Sequence, residues 1–163
     1  MATPTTLPST FVAGNVLTAA QMNNLRGAFR ILQVVSGQTT TDFTRASSTY
    51  GDWTNVTATI TPYETASKIL VMCNSAACFN NGAGGDWHYL QIIRGASTVV
   101  GEEVFAQLPS NASGGLEQGG VSIFWLDSPA TTSATTYKAQ VKSQNAYSIT
   151  WRTGALVLME VSA

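Results

Sequence analysis

The sequence predicts a mainly β protein: an antiparallel jelly-roll sandwich over residues 34–163, preceded by an extended arm at 1–15 and one short helix at 16–33. Two observations predict the sandwich. From residue 31 onward, apolar residues recur with a period of two, the period of a strand with one buried face. Gly, Asn, Pro and Ser interrupt these segments, and no second helical pattern separates them, which favours antiparallel strands over a parallel sheet with crossover helices.

The composition agrees with a structural β module rather than a cytosolic enzyme. Of the 163 residues only 10% are charged, whereas 22 are Thr and 15 are Ser; soluble proteins average about 25% charged residues. The net charge of −1 builds in no attraction to nucleic acid or to an anionic membrane. The sequence lacks the run of about 18 apolar residues that a membrane helix needs, so we expect no membrane insertion.

The N-terminal arm is expected to be extended. Pro4 and Pro8 forbid helix and bias the residues before them toward extended backbone. Phe11 and Val12 are the bulky apolar pair of this stretch. An arm of this kind either frays or orders in a partner's groove, and we expect Phe11 and Val12 to anchor it on another protein.

The helix at 16–33 has both a start signal and an apolar stripe. Thr18 is a suitable N-cap, and Gln21 three residues later completes a capping box. The stripe recurs at spacings of three, four and three: Met22, Leu25, Phe29 and Leu32. The helix either docks on its own domain or forms the seam of a short bundle of identical chains. Four positions are too few for a free-standing coiled coil.

Ten candidate strands follow. They span residues 31–36, 42–46, 54–60, 68–79, 87–94, 98–106, 120–127, 136–143, 147–152 and 155–161. A jelly roll has about eight strands, close to this number. In 54–60, every second residue from Thr54 to Ile60 is expected to face the core.

The last candidate strand is apolar on both faces apart from Glu160. Such a strand is typical of the centre of a sheet or of a subunit interface. One small sandwich has difficulty burying this strand together with the helical stripe, and the two features predict a homotrimer.

Two Gly-, Asn- and Ser-rich loops, 80–86 and 109–117, are candidate recognition segments. A sandwich places its loops at its ends, where a rigid scaffold positions binding residues. Asp86 and Trp87 could face a receptor there. The alternative is that both loops are solvated turns.

No catalytic residue, metal site or cofactor is expected. His88 is the single histidine, and no G-x-S-x-G elbow accompanies it. Glu102 and Glu103 would face opposite sides of a strand, so they cannot be the carboxylate pair of a glycosidase. Cys73 and Cys78 with one histidine cannot supply four zinc ligands, and they are expected to be small buried residues of a reduced protein.

The four tryptophans fall into two predicted environments. Trp125 lies in an apolar segment and is expected in the core. Trp53, Trp87 and Trp151 stand at the ends of candidate segments, where they could lie at a rim and stack on a glycan.

Four stretches resemble tailed-bacteriophage virion proteins. Residues 8–37 resemble their N-terminal leader, through Phe11, Ala13 and Gly14 and then the Val-Leu-Thr-Ala-Ala run at 16–20. Residues 58–74 are similar to the strand-turn-strand unit of phage β-sandwich proteins, and the segments 89–95 and 156–161 fit the same pattern.

This resemblance implies a non-enzymatic virion protein with a trimeric, tumour-necrosis-factor-like jelly roll whose N-terminal part is the anchor. Such proteins are head fibres or decorations, minor tail proteins and fibre tips, so the implied partners are other virion proteins of the capsid or tail. The alternative is a receptor-binding module that contacts host-surface glycan.

Overall fold

The structure is a computed structural model that describes residues 16, 18, 19, 31–80, 86–108 and 117–162. Nine strands form within these residues: β1 (Ile31–Thr39), β2 (Phe43–Arg45), β3 (Gly51–Ile60), β4 (Lys68–Asn80), β5 (Asp86–Arg94), β6 (Ser97–Leu108), β7 (Glu117–Asp127), β8 (Thr135–Ser143) and β9 (Ile149–Val161).

The strands form two antiparallel sheets. Sheet 1 has the order β1-β9-β4-β7, with β2 also paired to β9, and sheet 2 has the order β3-β8-β5-β6. The first and last strands are thus neighbours, and the chain passes repeatedly between the sheets, an interleaving that is jelly-roll-like. The predicted antiparallel, mainly β fold is confirmed. The apolar last strand is central in sheet 1, as its sequence indicated.

The predicted helix does not extend to residue 33. Residues 31–33 belong to β1, which pairs with β9 from Ile31 to Thr39, so Leu32 lies on a strand and not on a helical stripe. Pairing with the central strand outweighs the local helical pattern at this point. The rest of the stripe (Met22, Leu25 and Phe29) and the arm with Phe11 and Val12 lie outside the described residues.

The two last candidate strands are one strand. β9 runs without interruption from Ile149 to Val161, and its ladder with β4 continues through Arg152 and Gly154. Thr153 has a positive φ of 32°, a local irregularity that the long pairing with β4 accommodates. Trp151 therefore lies inside a strand, and it is buried in the core instead of at a rim.

The core lies between the two sheets, and its largest side chains include Trp53, Trp151 and Tyr137. Trp53 stands at the end of a candidate segment, where it could have lain at a rim. It is buried because β3 begins earlier, at Gly51, and contains a bulge. Asn55 has a φ of 68°, and the register with β8 shifts between Asp52 and Thr57. The extra residue brings Trp53 and Val56 to the same inner face and leaves Thr54 exposed, contrary to simple alternation.

Glu160, the one charged residue of the predicted last strand 155–161, is fully buried. Its Oε1 accepts a hydrogen bond of 2.8 Å from the backbone N–H of Tyr63, and its Oε2 accepts one of 2.6 Å from Nε2 of Gln33. The carboxylate thus joins the start of β1 to the turn between β3 and β4, and these hydrogen bonds offset the loss of its hydration.

The sandwich has two distinct ends. At the N-terminal end, where β1 begins, Ile31 and Lys68 both pair with Val161. At the opposite end, here called the loop end, Asn80 pairs with Glu117. The strand ends that flank both candidate recognition loops therefore lie far from the point where the N-terminal segment joins the sandwich.

Candidate functional site

Toward the N-terminal end of the sandwich, the outer face of sheet 1 carries aliphatic and aromatic side chains instead of the polar ones that normally face water; the next row toward the loop end is polar, with Gln38, Asn74 and Ser122. Register builds two rows across the strands. One consists of Val34, Met159, Leu70 and Leu126, and the other contains Val157, Met72 and Phe124. We call these seven side chains the apolar face. Phe124, Leu126 and Val34 are 68%, 55% and 51% exposed.

The edge strand β7 of this sheet also exposes a large apolar side chain on its other side. β7 is the last strand in the order of sheet 1, and Trp125 between Phe124 and Leu126 is 49% exposed. The prediction that Trp125 is a core residue is wrong, because an edge strand has no further neighbour in its sheet to cover the side chain. Three consecutive large apolar residues are thus accessible on both sides of β7, a patch that marks an interaction surface.

A cluster of polar side chains lies where β7 ends, at the N-terminal end of the sandwich. Oη of Tyr137 donates a 2.6 Å hydrogen bond to Oδ2 of Asp127, and NH1 of Arg94 lies 3.1 Å from the same oxygen. Burial, followed by the hydrogen bond to Asp127, raises the pKa of Tyr137 well above its usual range. Tyr137 therefore stays protonated, and the cluster ties β7 to β5 and β8 of the other sheet.

The outer face of sheet 2 has the opposite character. Nε2 of Gln91 donates to Oε1 of Gln140, and Nε2 of Gln140 donates to Oδ1 of Asp52, each at 2.7 Å. Lys138 donates to the other oxygen of Asp52, also at 2.7 Å. The hydrogen bond from Gln140, and then that from Lys138, holds the pKa of Asp52 below its usual value of 3.8. These four residues form what we call the polar ladder.

Aromatic side chains lie beside the polar ladder, toward the loop end. Nζ of Lys142 lies 4.5 Å from the ring centroid of Tyr50 and 4.7 Å from that of Tyr89. Oη of Tyr89 donates to Oε1 of Gln144 at 3.3 Å. His88 is buried in the core, so strand alternation places its neighbours Trp87 and Tyr89 together on the outer side.

The predicted receptor-facing residues lie at the loop end. Asp86 is the first residue of β5, and Trp87, the second, is half-buried. Sequence reasoning grouped the tyrosines with the tryptophans as candidate glycan-stacking residues, but it did not single out Tyr50 or Tyr89, and it missed Lys142. These three residues come from separate segments. The one signal was that Tyr89 stands two residues after Trp87, which places both on one side of a strand.

Two of the groups considered for chemistry, His88 and Cys73, are buried. The ring of His88 packs 6.3 Å from that of Trp151. Burial raises the pKa of the Cys73 thiol to about 12, so this cysteine is protonated at neutral pH. Cys73 and Cys78 both lie on β4. In the described part of the chain, no group of three or more His, Cys, Asp or Glu residues could hold a metal ion, and no helix is long and apolar enough to cross a membrane.

No protein-family pattern and no curated protein sequence matches this chain. One similar solved structure contains the CBM22-1 and GH10 modules of Clostridium thermocellum xylanase 10B with xylohexaose. Its TM-score is 0.38 at 10% identity, over 71% of this chain and 20% of that one. A structure of infectious bursal disease virus, Gx strain, has a TM-score of 0.40 at 11% identity, over 96% of this chain and 42% of that one. This chain thus spans less than half of either. Both TM-scores lie below 0.5, and we base the function proposed below on this chain's own residues.

Proposed function

We propose that the chain is a non-enzymatic virion structural protein of a tailed bacteriophage, a homotrimer mounted on the capsid or tail through residues 1–33. The observation that carries the proposal is the apolar face together with the exposed side chain of Trp125 on β7. A soluble monomer rarely exposes a contiguous apolar patch larger than a few hundred Å². The leader-like stretch at 8–37 supports the phage assignment.

The shape of the apolar surface favours a cyclic assembly. A flat partner on the outer face of sheet 1 would cover Phe124 and Leu126 but not Trp125, which points to the other side of β7. If β7 of one copy packs against the β1 and β9 residues of the apolar face in a neighbouring copy, both sides of β7 are covered. Such a contact joins two different patches of the same chain, and a head-to-tail contact gives a ring when the rotation between neighbouring copies closes, here after three copies.

The two ends of the sandwich suit an anchored particle protein. The N-terminal segment joins at Ile31, at one end, and the loop end is opposite. Attachment through residues 1–33 would therefore leave the loop end pointing away from the particle. The enclosed positions of His88 and Cys73 support a role without catalysis.

Substitution of Leu126 by lysine is expected to dissociate the trimer. Leu126 is 55% exposed, so the fold tolerates the change, whereas burying an unpaired ammonium in a subunit contact costs several kcal/mol. Sedimentation equilibrium at micromolar concentration should give three times the chain mass of 17.2 kDa for the natural protein and one chain mass for Leu126→Lys.

Thr59→Lys is the matched control, because Thr59 is exposed on the outer side of sheet 2. It should remain trimeric. Leu25→Asp in the predicted helical seam should also weaken assembly. A monomeric natural protein, or a Leu126→Lys variant that assembles normally, would contradict the proposed trimer.

Deletion of residues 1–15 is expected to leave a folded, soluble β protein that no longer joins virions. The arm precedes the first described strand by 15 residues, and a segment that orders on its partner contributes to attachment and not to the sandwich. Circular dichroism checks the fold, and immunoblotting of purified particles measures incorporation. Normal incorporation of the truncated protein would show that the arm is not the anchor.

A second candidate function is recognition of a host-surface glycan at the loop end. The observation that favours it is the group of aromatic side chains on the outer side of sheet 2: Tyr50, Trp87 and Tyr89. It is compatible with the structural role, because the trimer contact proposed above uses the other sheet.

A further inference from the structure

We propose that the loop-end half of the outer face of sheet 2 is a saccharide-binding platform, built from Tyr50, Tyr89 and Trp87 next to the polar ladder. This inference rests on the second candidate function and names its site. It places recognition on a sheet surface, whereas the sequence directed attention to the loops 80–86 and 109–117.

The chemistry of the platform differs from that of the apolar face on the other sheet. The apolar face consists of Val, Leu, Met and Phe side chains, which suit a dry protein contact. On the platform, the described residues Tyr89, Trp87 and Gln140 each join an apolar surface to a polar group: a phenol, an indole N–H and a carboxamide. A saccharide has the matching combination, because its C–H groups pack on aromatic rings while its hydroxyls need donors and acceptors.

The aromatic part of the platform is held in place before any ligand arrives. The Lys142 ammonium contacts the rings of both Tyr50 and Tyr89, at 4.5 and 4.7 Å from their centroids. The phenol of Tyr89 is bonded to Gln144, and the backbone N–H of Gln144 donates to the carbonyl oxygen of Trp87 at 3.0 Å. Fixed rings lose little conformational entropy on binding, which favours affinity for a small, polar ligand.

The polar ladder is oriented in one direction. Gln91 donates to Gln140, and Gln140 donates to Asp52. Gln91 is buried and holds the carboxamide of Gln140 in place, whereas Gln140 is partly accessible and keeps a second N–H that can donate to a ligand. Register places Tyr89 opposite Lys142 and Gln91 opposite Gln140. The aromatic row and the amide row are therefore consecutive rows on one face, about 7 Å apart, so that adjacent units of an oligosaccharide can reach both.

The test is binding of the natural protein to an array of purified bacterial surface polysaccharides, with neutral and acidic members as separate arms. The strongest binder is then titrated by isothermal calorimetry. We expect binding in at least one arm and a loss of affinity of about tenfold or more, equivalent to about 1.4 kcal/mol, for Tyr89→Ala and for Gln140→Ala. Thr59→Ala, on the same outer side but at the N-terminal end, should bind like the natural protein.

Circular dichroism and sedimentation separate recognition from folding and assembly. Tyr89 and Gln140 are both partly solvent-accessible, and both variants should remain folded trimers. Absence of binding in both arms by a trimeric natural protein would overturn the saccharide platform and leave the structural role intact. Binding that survives Tyr89→Ala and Gln140→Ala but is lost on changing Asp86 would place recognition in the loops and also overturn the platform.

Discussion

The Trp151→Ala variant is expected to lose about 3–5 kcal/mol of its free energy of unfolding, the range for removing a buried aromatic side chain. Trp151 is 1% exposed on the central strand of sheet 1. Its ring lies 5.3 Å from that of Trp53 and 6.3 Å from that of His88. Because these neighbours belong to strands of the other sheet, they cannot close around an alanine without bringing the sheets together. The cost is the lost burial plus a cavity.

Trp125→Ala is the matched comparison. It removes the same side chain from the edge strand of the same sheet, where the indole is 49% exposed, so its effect should be below about 1 kcal/mol. Both changes are made in the Leu126→Lys background, so that loss of assembly does not enter the comparison. Urea unfolding followed by far-UV circular dichroism gives the two free energies. Equal losses for the two variants would contradict the placement of Trp151 in the core and of Trp125 at the edge.

Gly37→Ala is expected to destabilise the sandwich by about 3 kcal/mol, at the upper end of overpacking effects. A Cβ atom on Gly37 would overlap the carbonyl group of Thr57. Gly37 lies on β1 at the edge of sheet 1, and Thr57 lies on β3 at the edge of sheet 2. Since both groups are backbone, no change of rotamer relieves the overlap, and the edges of the two sheets must separate.

Gly120→Ala provides the control on another edge strand. A Cβ atom there would lie 3.5 Å from the carbonyl oxygens of Ala76 and Ser75, an ordinary contact. Alanine is also favoured over glycine in a strand by about 0.5–1 kcal/mol. The midpoint of thermal unfolding should therefore fall for Gly37→Ala and stay or rise for Gly120→Ala. A Gly37→Ala protein as stable as the natural one would show that β1 and β3 do not approach each other this closely.

Much of the fold follows from local patterns. The inward positions of Val56, Ala58 and Ile60 were predicted because alternation with a period of two is a property of the strand's own backbone. The apolar character of residues 155–161 on both faces predicted either a central strand or a subunit interface, and the strand order of sheet 1 makes the strand central. Local patterns also favoured a helix through residue 33, but pairing of β1 with β9 decided the structure of Ile31 and Leu32.

The tryptophans show where local reasoning stops. Trp125 sits among apolar residues and was expected in the core, yet it lies on an edge strand. Trp151 was a candidate for a rim position, yet it lies on a central strand. The two strands cannot be told apart until the order β1-β9-β4-β7 is known. The burial of Trp53 was not predicted for a different reason. The bulge at Asn55 shifts the alternation of β3, so that Trp53 and Val56 both face inward.

The sequence by itself determined that this protein is an antiparallel β sandwich with an apolar last strand. Only the tertiary structure decided that one sheet has an apolar patch on its outer face and that the other carries Tyr50, Tyr89 and Lys142 together beside the polar ladder. The physical reason is that each face is assembled from strands far apart in the chain. Which side chains become neighbours depends on strand order and register, and these are set by long-range backbone pairing.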